Sequence, residues 1–200
     1  MDITTLKNHY TGHVPTLMGQ RGGSAVLVPL VERDGKTYLL YEVRSAYIRQ
    51  PNEVCFPGGK REEGESAVQC ALRETREELG IPESAIEVVG EMDFLYIRAH
   101  SLLRPVLGIV DASALNGMRP DPAEVADTLL LPLTWLRDHP PEVYRRRQAV
   151  EAPDFPYGDA GVTDDYPWRP YELEVPVYHG TPYPLWGLTA RITMEVVAHL

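Results

Sequence analysis

Cysteine is scarce in this chain, and long hydrophobic runs are missing. Only Cys55 and Cys70 occur, without a C-x-x-C pair, so neither a disulfide framework nor a cysteine zinc site is expected. No run approaches the roughly 18 apolar residues of a membrane span, and the N-terminus has no apolar signal segment. The sequence therefore predicts reduced packing thiols, no membrane partner and a cytoplasmic location.

Basic residues are also in deficit. Lys and Arg number 19 against 29 Asp and Glu, and the formal net charge of −10 argues against a nucleic-acid partner, because such partners need a basic surface. Neither G-x-S-x-G nor G-x-x-x-x-G-K-[ST] occurs, so serine-hydrolase and P-loop chemistry have no support. An anionic substrate would have to be bound by a local basic patch or by a metal.

What is present is an ordinary globular composition, with 44% hydrophobic and 24% charged residues. We predict one domain over residues 1–200, with residues 1–23 as an N-terminal extension and residues 145–170 as a long loop. Apolar strands flank the turn signal Asp34-Gly35, and residues 186–200 are typical of an amphipathic closing helix. Strands alternating with helices predict an α/β fold with a mixed sheet.

The segment from residue 59 to residue 81 carries the candidate chemistry, and its ends predict a helix. Ser66 and Gln69 have the spacing of a capping box, and Gly80 stands at the position of a C-terminal cap. The predicted packing stripe of this helix consists of Val68, Ala71, Leu72, Thr75 and Leu79.

Three carboxylates share another side of the same helix. Glu74, Glu77 and Glu78 are three and four residues apart, so they lie one above another, and they repel each other unless a cation separates them. Hard oxygen donors favour Mg²⁺ or Mn²⁺, and the carbonyl of Gly58 in the preceding turn is a further predicted ligand. The alternative is a solvated acidic helix face.

The segment resembles the Nudix box, G-x5-E-x7-R-E-U-x-E-E-x-G-U, in which U is a bulky apolar residue. Thr75 departs from the first U position. The matching positions are Gly59, Glu65, Arg73, Glu74, Glu77, Glu78, Gly80 and Ile81. The resemblance implies an enzyme that splits a diphosphate linked to another moiety, with an α/β/α sandwich fold in which a mixed β-sheet lies between helices. Arg73 is expected to orient Glu77 or Glu65, and Glu65 to be structural.

Residues 39–59 are similar to the motif that precedes the box in the coenzyme A diphosphatase branch of this superfamily. By this resemblance, the predicted substrate-binding residues are Arg44, Ser45, Arg49 and Phe56, and the arginines suit phosphate groups. Four neighbouring positions depart from the motif: Pro51 replaces His, Asn52 replaces Gly, Glu53 replaces Gln and Cys55 replaces Ser.

The resemblance thus predicts metal-dependent hydrolysis of coenzyme A, and of acyl-coenzyme A, to 3′,5′-ADP and 4′-phosphopantetheine. Glu77 and Glu124 are the candidate general bases. The alternatives are hydrolysis of ADP-ribose or dinucleotide polyphosphates, and a catalytically silent nucleotide sensor. Nudix enzymes are often dimers, so a homodimer remains open. In the long loop, Tyr157, Tyr166 and Trp168 either stack on adenine or are exposed without a role.

Overall fold

The computed structural model describes residues 3–13, 17–19, 22–98, 101–149 and 154–200. Its helices are α1 (Ile3–Tyr10), α2 (Ala67–Leu79), α3 (Leu133–Asp138) and α4 (Gly187–Val197). Its strands are β1 (Gly23–Arg33), β2 (Lys36–Arg44), β3 (Val54–Cys55), β4 (Gly58–Lys60), β5 (Ile86–Glu91), β6 (Leu95–Arg98), β7 (Ser101–Val110), β8 (Val125–Pro132), β9 (Glu142–Gln148), β10 (Tyr171–Tyr178) and β11 (Leu185–Trp186). Within the described residues, no helix has both the length and the apolar character needed to cross a membrane.

The chain folds into two compact units, each built from two separate stretches of sequence. Unit 1 comprises Met1–Leu30 and Pro57–Arg119, and unit 2 comprises Val31–Phe56 and Pro120–Leu200. Both units combine β-sheet with helices, which confirms the predicted mixed α/β fold class. The organisation of residues 1–200 as one domain stays a prediction.

In unit 1, helix α2 packs against β4, β5 and β7. Strand β4 pairs antiparallel with β1, and Gly58 lies opposite Val26. A Cβ at Gly58 would collide with Ala25 and Val26, and its φ of 152° suits glycine, so this residue permits the close approach of the two strands. The core of the unit is made of fully buried aliphatic side chains: Ala25, Leu27, Val28, Ala71, Leu79 and Val106.

In unit 2, strand β2 pairs antiparallel with β3 and with β8. Strands β9, β10 and β11 form a separate antiparallel sheet, and α4 packs on β10 and β11. The hydroxyl groups of Tyr41 and Thr193 share a hydrogen bond of 2.9 Å inside the core, which satisfies two buried polar groups. The apolar core of the unit includes the buried side chains of Leu39, Leu40, Leu136, Leu185 and Ala190.

Several predicted elements form where the sequence indicates. Asp34 and Gly35 both adopt left-handed backbone angles, with φ of 51° and 70°, and so make the predicted turn between β1 and β2. The predicted closing helix forms as α4, after the short strand β11. Helix α1 lies in the predicted N-terminal extension, of which residues 1, 2, 14–16, 20 and 21 are outside the described residues.

Strand β9 continues into the segment that the sequence assigns to the long loop. Residues 145–148 pair with β10, where Arg145 lies opposite Glu174 and Arg147 opposite Glu172. The run Tyr-Arg-Arg-Arg lacks the alternation of a half-buried strand, so its strand conformation depends on this partner far along the chain. Residues 154–170 form turns with neither helix nor strand, and residues 150–153 are outside the described residues.

Candidate functional site

Helix α2 begins and ends at its predicted caps. The Ser66 hydroxyl accepts a hydrogen bond from the Gln69 N–H (3.1 Å), and the Gln69 side-chain oxygen accepts one from the Ser66 N–H (2.9 Å). Gly80 adopts φ 68°, and its N–H donates to the Arg76 carbonyl at 3.0 Å. These caps confirm the predicted capping box and C-cap, and they fix the two ends of the helix.

The three predicted metal-binding carboxylates have different surroundings. Glu78 is buried, with 6% of its surface exposed, and accepts a hydrogen bond from the Gly58 N–H at 2.7 Å. Glu74 lies against Gly59, where a Cβ would collide with its carboxylate. The Glu77 side chain is 51% exposed. The helix therefore offers one buried, one half-buried and one exposed carboxylate instead of a uniform stripe.

The buried face of α2 differs in part from the predicted stripe. Val68 and Leu72 are only half-buried, whereas the buried residues are Ala67, Cys70, Ala71, Thr75, Glu78 and Leu79. Thr75, which departs from the Nudix pattern, donates its hydroxyl to the Ala71 carbonyl at 2.6 Å. This bond within the helix satisfies the hydroxyl, so a threonine is tolerated at a position that favours an apolar side chain.

Arg73 connects several carboxylates of this segment. Its Nε lies 2.9 Å from a Glu65 oxygen, and its Nη1 lies 2.9 Å from Glu74 and 3.0 Å from Glu77. Its Nη2 also donates to the Lys60 carbonyl at 3.4 Å. One guanidinium therefore contacts three carboxylates and offsets part of the repulsion among them.

These contacts shift the pKa values of the groups involved. The hydrogen bonds from Arg73 lower the pKa of Glu65 to about 2, and the Glu62 backbone N–H adds to the effect. In turn, the hydrogen bond to Glu65 raises the pKa of Arg73 above its ordinary value. Both partners therefore stay charged at neutral pH. The geometry is that of an ion pair, and the predicted structural role of Glu65 and orienting role of Arg73 stay predictions.

Among the side chains that the structure describes, no group of three or more His, Cys, Asp or Glu is placed so that it could hold a metal ion. The Arg73 Nη1 contacts both Glu74 and Glu77, at 2.9 and 3.0 Å. The donor chemistry nevertheless fits Mg²⁺ or Mn²⁺, which prefer carboxylate and carbonyl oxygens. Binding would require Glu74 and Glu77 to exchange Arg73 for the metal, so these ligands, with Glu78 and Gly58, stay predictions.

In unit 2, Ser45 joins two loops that are distant in sequence. Its hydroxyl donates to the Ala123 carbonyl at 2.6 Å, and its N–H donates to the Glu124 carbonyl at 2.8 Å. Only 2% of Ser45 is exposed. The structure thus brings the predicted substrate residue Ser45 beside the predicted base Glu124, whose side chain is exposed, but uses the serine hydroxyl to hold backbone.

Arg44 is the last residue of β2, and the loop that follows it and carries Arg49 is held by hydrogen bonds to its own backbone. The Nε of Arg44 donates to the Arg49 carbonyl at 2.8 Å, and the Asn52 N–H donates to the Arg44 carbonyl at 2.9 Å. Asn52, which replaces a glycine of the motif, has a φ of 62°. Because asparagine tolerates this left-handed conformation better than most residues, the replacement preserves the turn. Arg44 is half-buried and Arg49 is exposed.

Phe56 lies in the core of unit 2. It is 3% exposed and stacks on Tyr41, with ring centroids 4.8 Å apart. A substrate-binding role for Phe56 stays a prediction, and the contacts that the structure gives it are those of a packing residue.

Sequence reasoning did not single out Glu42, which is buried opposite Cys55 and accepts a hydrogen bond from its thiol at 3.1 Å. The sequence gives only a weak indication that Glu42 is buried and paired, namely a carboxylate inside the apolar run of β2, where burial without a polar partner would be costly. Cys55 is therefore not simply an apolar packing residue.

The aromatic residues of the long loop pack on one another. Trp168 lies edge-on to Phe155 and Tyr166, each with a centroid distance of 5.1 Å. The Trp168 indole N–H donates to the Tyr157 hydroxyl at 3.2 Å. The predicted aromatic trio is thus joined by Phe155 into a small cluster that gives this loop its own internal packing.

Comparison with known proteins agrees with these features. A family model described as the NUDIX domain matches residues 22–152. The mouse protein named peroxisomal coenzyme A diphosphatase NUDT7 is 37% identical over 86% of this chain and 67% of its own length. The mouse mitochondrial coenzyme A diphosphatase NUDT8 is 32% identical over 88% of this chain and 77% of its length. The uncharacterized Escherichia coli Nudix hydrolase NudL is 36% identical over 88% and 82%.

The matched range includes all of α2 and its caps, together with the loop that bears the arginines. The identity to the two mouse diphosphatases extends over most of the chain. This chain belongs to the Nudix hydrolase family.

Proposed function

We propose that the protein is a divalent-metal-dependent diphosphatase that hydrolyses coenzyme A, and acyl-coenzyme A, to 3′,5′-ADP and 4′-phosphopantetheine. The observation that carries the proposal is the 37% identity over 86% of the chain to a relative named as a coenzyme A diphosphatase. The arginines of the loop at residues 44–53 support it, because guanidinium groups suit the several phosphates of this substrate.

Nudix hydrolases generally use divalent metal ions, and we assign Mg²⁺ or Mn²⁺ to Glu74, Glu77, Glu78 and the carbonyl of Gly58. When bound, the metal would neutralise the diphosphate and lower the pKa of a water molecule. The hydrogen bond from the Gly58 N–H orients the Glu78 carboxylate before any ligand arrives. Glu74 is restricted in a similar way by its contact with the backbone of Gly59.

The general base is assigned to Glu77 or Glu124. Both side chains are exposed, so either can contact a solvent water molecule. Arg73 restrains Glu77 through a 3.0 Å ion pair, whereas the Glu124 backbone is held by Ser45 and Asp121. We assign phosphate binding to Arg44 and Arg49, while the contacts of Ser45 favour a role in holding their loop.

We further propose that the protein acts on a small molecule in the cytoplasm, without nucleic acid or membrane as a partner, and as a homodimer if it assembles. The net charge of −10 supports the absence of a nucleic-acid partner. The names of the mouse relatives place those proteins in peroxisomes and mitochondria, so location needs direct imaging of the tagged chain.

The decisive assay compares substrates with the purified protein in Mg²⁺. Coenzyme A, acetyl-coenzyme A, ADP-ribose and diadenosine tetraphosphate are each incubated with wild type and with Glu78→Gln as the inactive control. We expect the highest kcat/KM on a coenzyme A substrate, products 3′,5′-ADP and 4′-phosphopantetheine, and no turnover in EDTA. Faster turnover of ADP-ribose than of coenzyme A would refute the substrate assignment.

One observation favours the second candidate function, hydrolysis of ADP-ribose or dinucleotide polyphosphates. Pro51, Asn52, Glu53 and Cys55 depart from the coenzyme A motif in the loop beside Arg44, and Glu53 adds negative charge there. The same assay separates the two functions. A nucleotide sensor without activity is disfavoured because the chain retains every carboxylate of the Nudix box, and it would be supported only if none of the four substrates is turned over.

A further inference from the structure

Glu42 and Cys55 form a buried polar pair in unit 2. They are opposite residues in the pairing of β2 with β3, and the Cys55 thiol donates a hydrogen bond to the Glu42 carboxylate at 3.1 Å. Glu42 is only 1% exposed. Burial raises the pKa of the Cys55 thiol, and the Glu42 carboxylate raises it further. Cys55 therefore remains a protonated hydrogen-bond donor and not a thiolate.

Arg44 continues this series of contacts toward the loop. Its Nη1 donates to the Cys55 sulfur at 3.8 Å, and its Nε donates to the Arg49 carbonyl at 2.8 Å. A guanidinium has five N–H groups. Counted over the described part of the chain, these two bonds leave three N–H groups available on a half-buried arginine. The guanidinium is thus held through its Nε and its Nη1.

We propose that Glu42 and Cys55 are positioning residues that orient the Arg44 guanidinium toward a phosphate group of the substrate. This inference rests on the proposed function, because it takes the substrate to be a nucleotide that carries phosphate groups. An arginine loses rotamer entropy when it binds, and a side chain already held in place loses less. The pair thus improves binding of the phosphate without touching it.

The chemistry of position 55 offers a matched set of variants. Cys55→Ser keeps a group that both donates and accepts, as in the related motif, so Glu42 and Arg44 retain their partner. Cys55→Val removes both contacts at similar volume. Thr193→Val is the control, because it removes the buried 2.9 Å hydrogen bond to Tyr41 in the same unit. The other hydrogen bond of the Thr193 hydroxyl in the described part of the chain is to the Thr189 carbonyl.

The test is calorimetric binding of 3′,5′-ADP and of 5′-AMP to the full chain in EDTA, so that it does not depend on catalysis. We expect Cys55→Val to weaken binding about fivefold, as for loss of a modest hydrogen bond, while Cys55→Ser and Thr193→Val stay within about twofold of wild type. A loss confined to 3′,5′-ADP would place Arg44 on the 3′-phosphate, and a loss with both ligands would place it on the 5′-phosphate.

Unchanged affinity of Cys55→Val for both ligands would overturn the inference, as would absence of binding by wild type. An equal loss in Thr193→Val would also overturn it, since the effect would then follow general destabilisation of unit 2. Melting temperatures of all variants identify any that fail to fold. If Cys55→Val is among them, the binding of Cys55→Ser and of Glu42→Gln is compared with that of wild type instead. The proposed function is tested separately: a wild type that binds 3′,5′-ADP but does not hydrolyse coenzyme A would refute that function and leave this inference standing.

Discussion

Replacing Arg73 by methionine should lower the free energy of unfolding at pH 7 by about 3 kcal/mol, because hydrogen bonds to charged groups contribute about 1.5–3 kcal/mol each. Arg73 makes two such part-buried contacts, with Glu65 and Glu74 at 2.9 Å. The contact with Glu77, whose side chain is 51% exposed, adds little. Methionine preserves most of the packing, and partial rehydration of the released carboxylates keeps the total below the simple sum.

The pH dependence of this loss follows from Glu65. Its folded-state pKa of about 2 lies below the roughly 4.3 of an unfolded glutamate. A lowered carboxylate pKa contributes stability that is present above the unfolded value and is lost as the pH falls through the folded value. The difference between wild type and Arg73→Met should therefore be constant from about pH 6 to 8 and shrink below about pH 4.

Urea unfolding followed by circular dichroism at several pH values measures this difference, and a loss of 3 kcal/mol corresponds to a melting temperature lower by about 6–12 °C. Arg76→Met is the matched control, since Arg76 lies on the same helix, is 53% exposed and pairs only at 3.3–3.7 Å with Glu77 and Glu83. We expect it to cost less than about 0.5 kcal/mol. Equal losses in the two variants, or a difference that grows below pH 4, would refute the reasoning.

Two further predictions concern Gly59 and Phe56. In Gly59→Ala the new methyl group displaces the flexible end of Glu74, so kcat should fall at least about tenfold while the free energy of unfolding falls by less than about 1 kcal/mol. Gly90→Ala is the control, because its methyl group meets no atom within 4 Å, and we expect it to change neither kcat nor stability. Phe56→Leu disrupts the stacking on Tyr41, so the free energy of unfolding should fall by about 1–2 kcal/mol while KM for coenzyme A stays within about twofold of wild type. A raised KM at unchanged stability would instead assign Phe56 to substrate binding.

The features of the site that the sequence predicted correctly are those whose partners lie close together along the chain. The caps of α2 were predicted correctly because Ser66 and Gln69 are three residues apart, and Gly80 bonds Arg76 within the same turn. The burial of Phe56 and Ser45 was not anticipated, since a motif shows that a residue type is present but not which neighbours cover it. A phenylalanine in a loop motif is compatible equally with substrate contact and with packing.

The sequence by itself determined the family, the helix and the spacing of its carboxylates, because backbone geometry converts separations of three and four residues into positions on one helix. Only the tertiary structure decided that Arg73 joins Glu65, Glu74 and Glu77, and that Glu42 meets Cys55 across two strands. These pairings depend on the tertiary structure, because burial makes an unpaired charge costly and because the available partners are the groups that lie nearby in space.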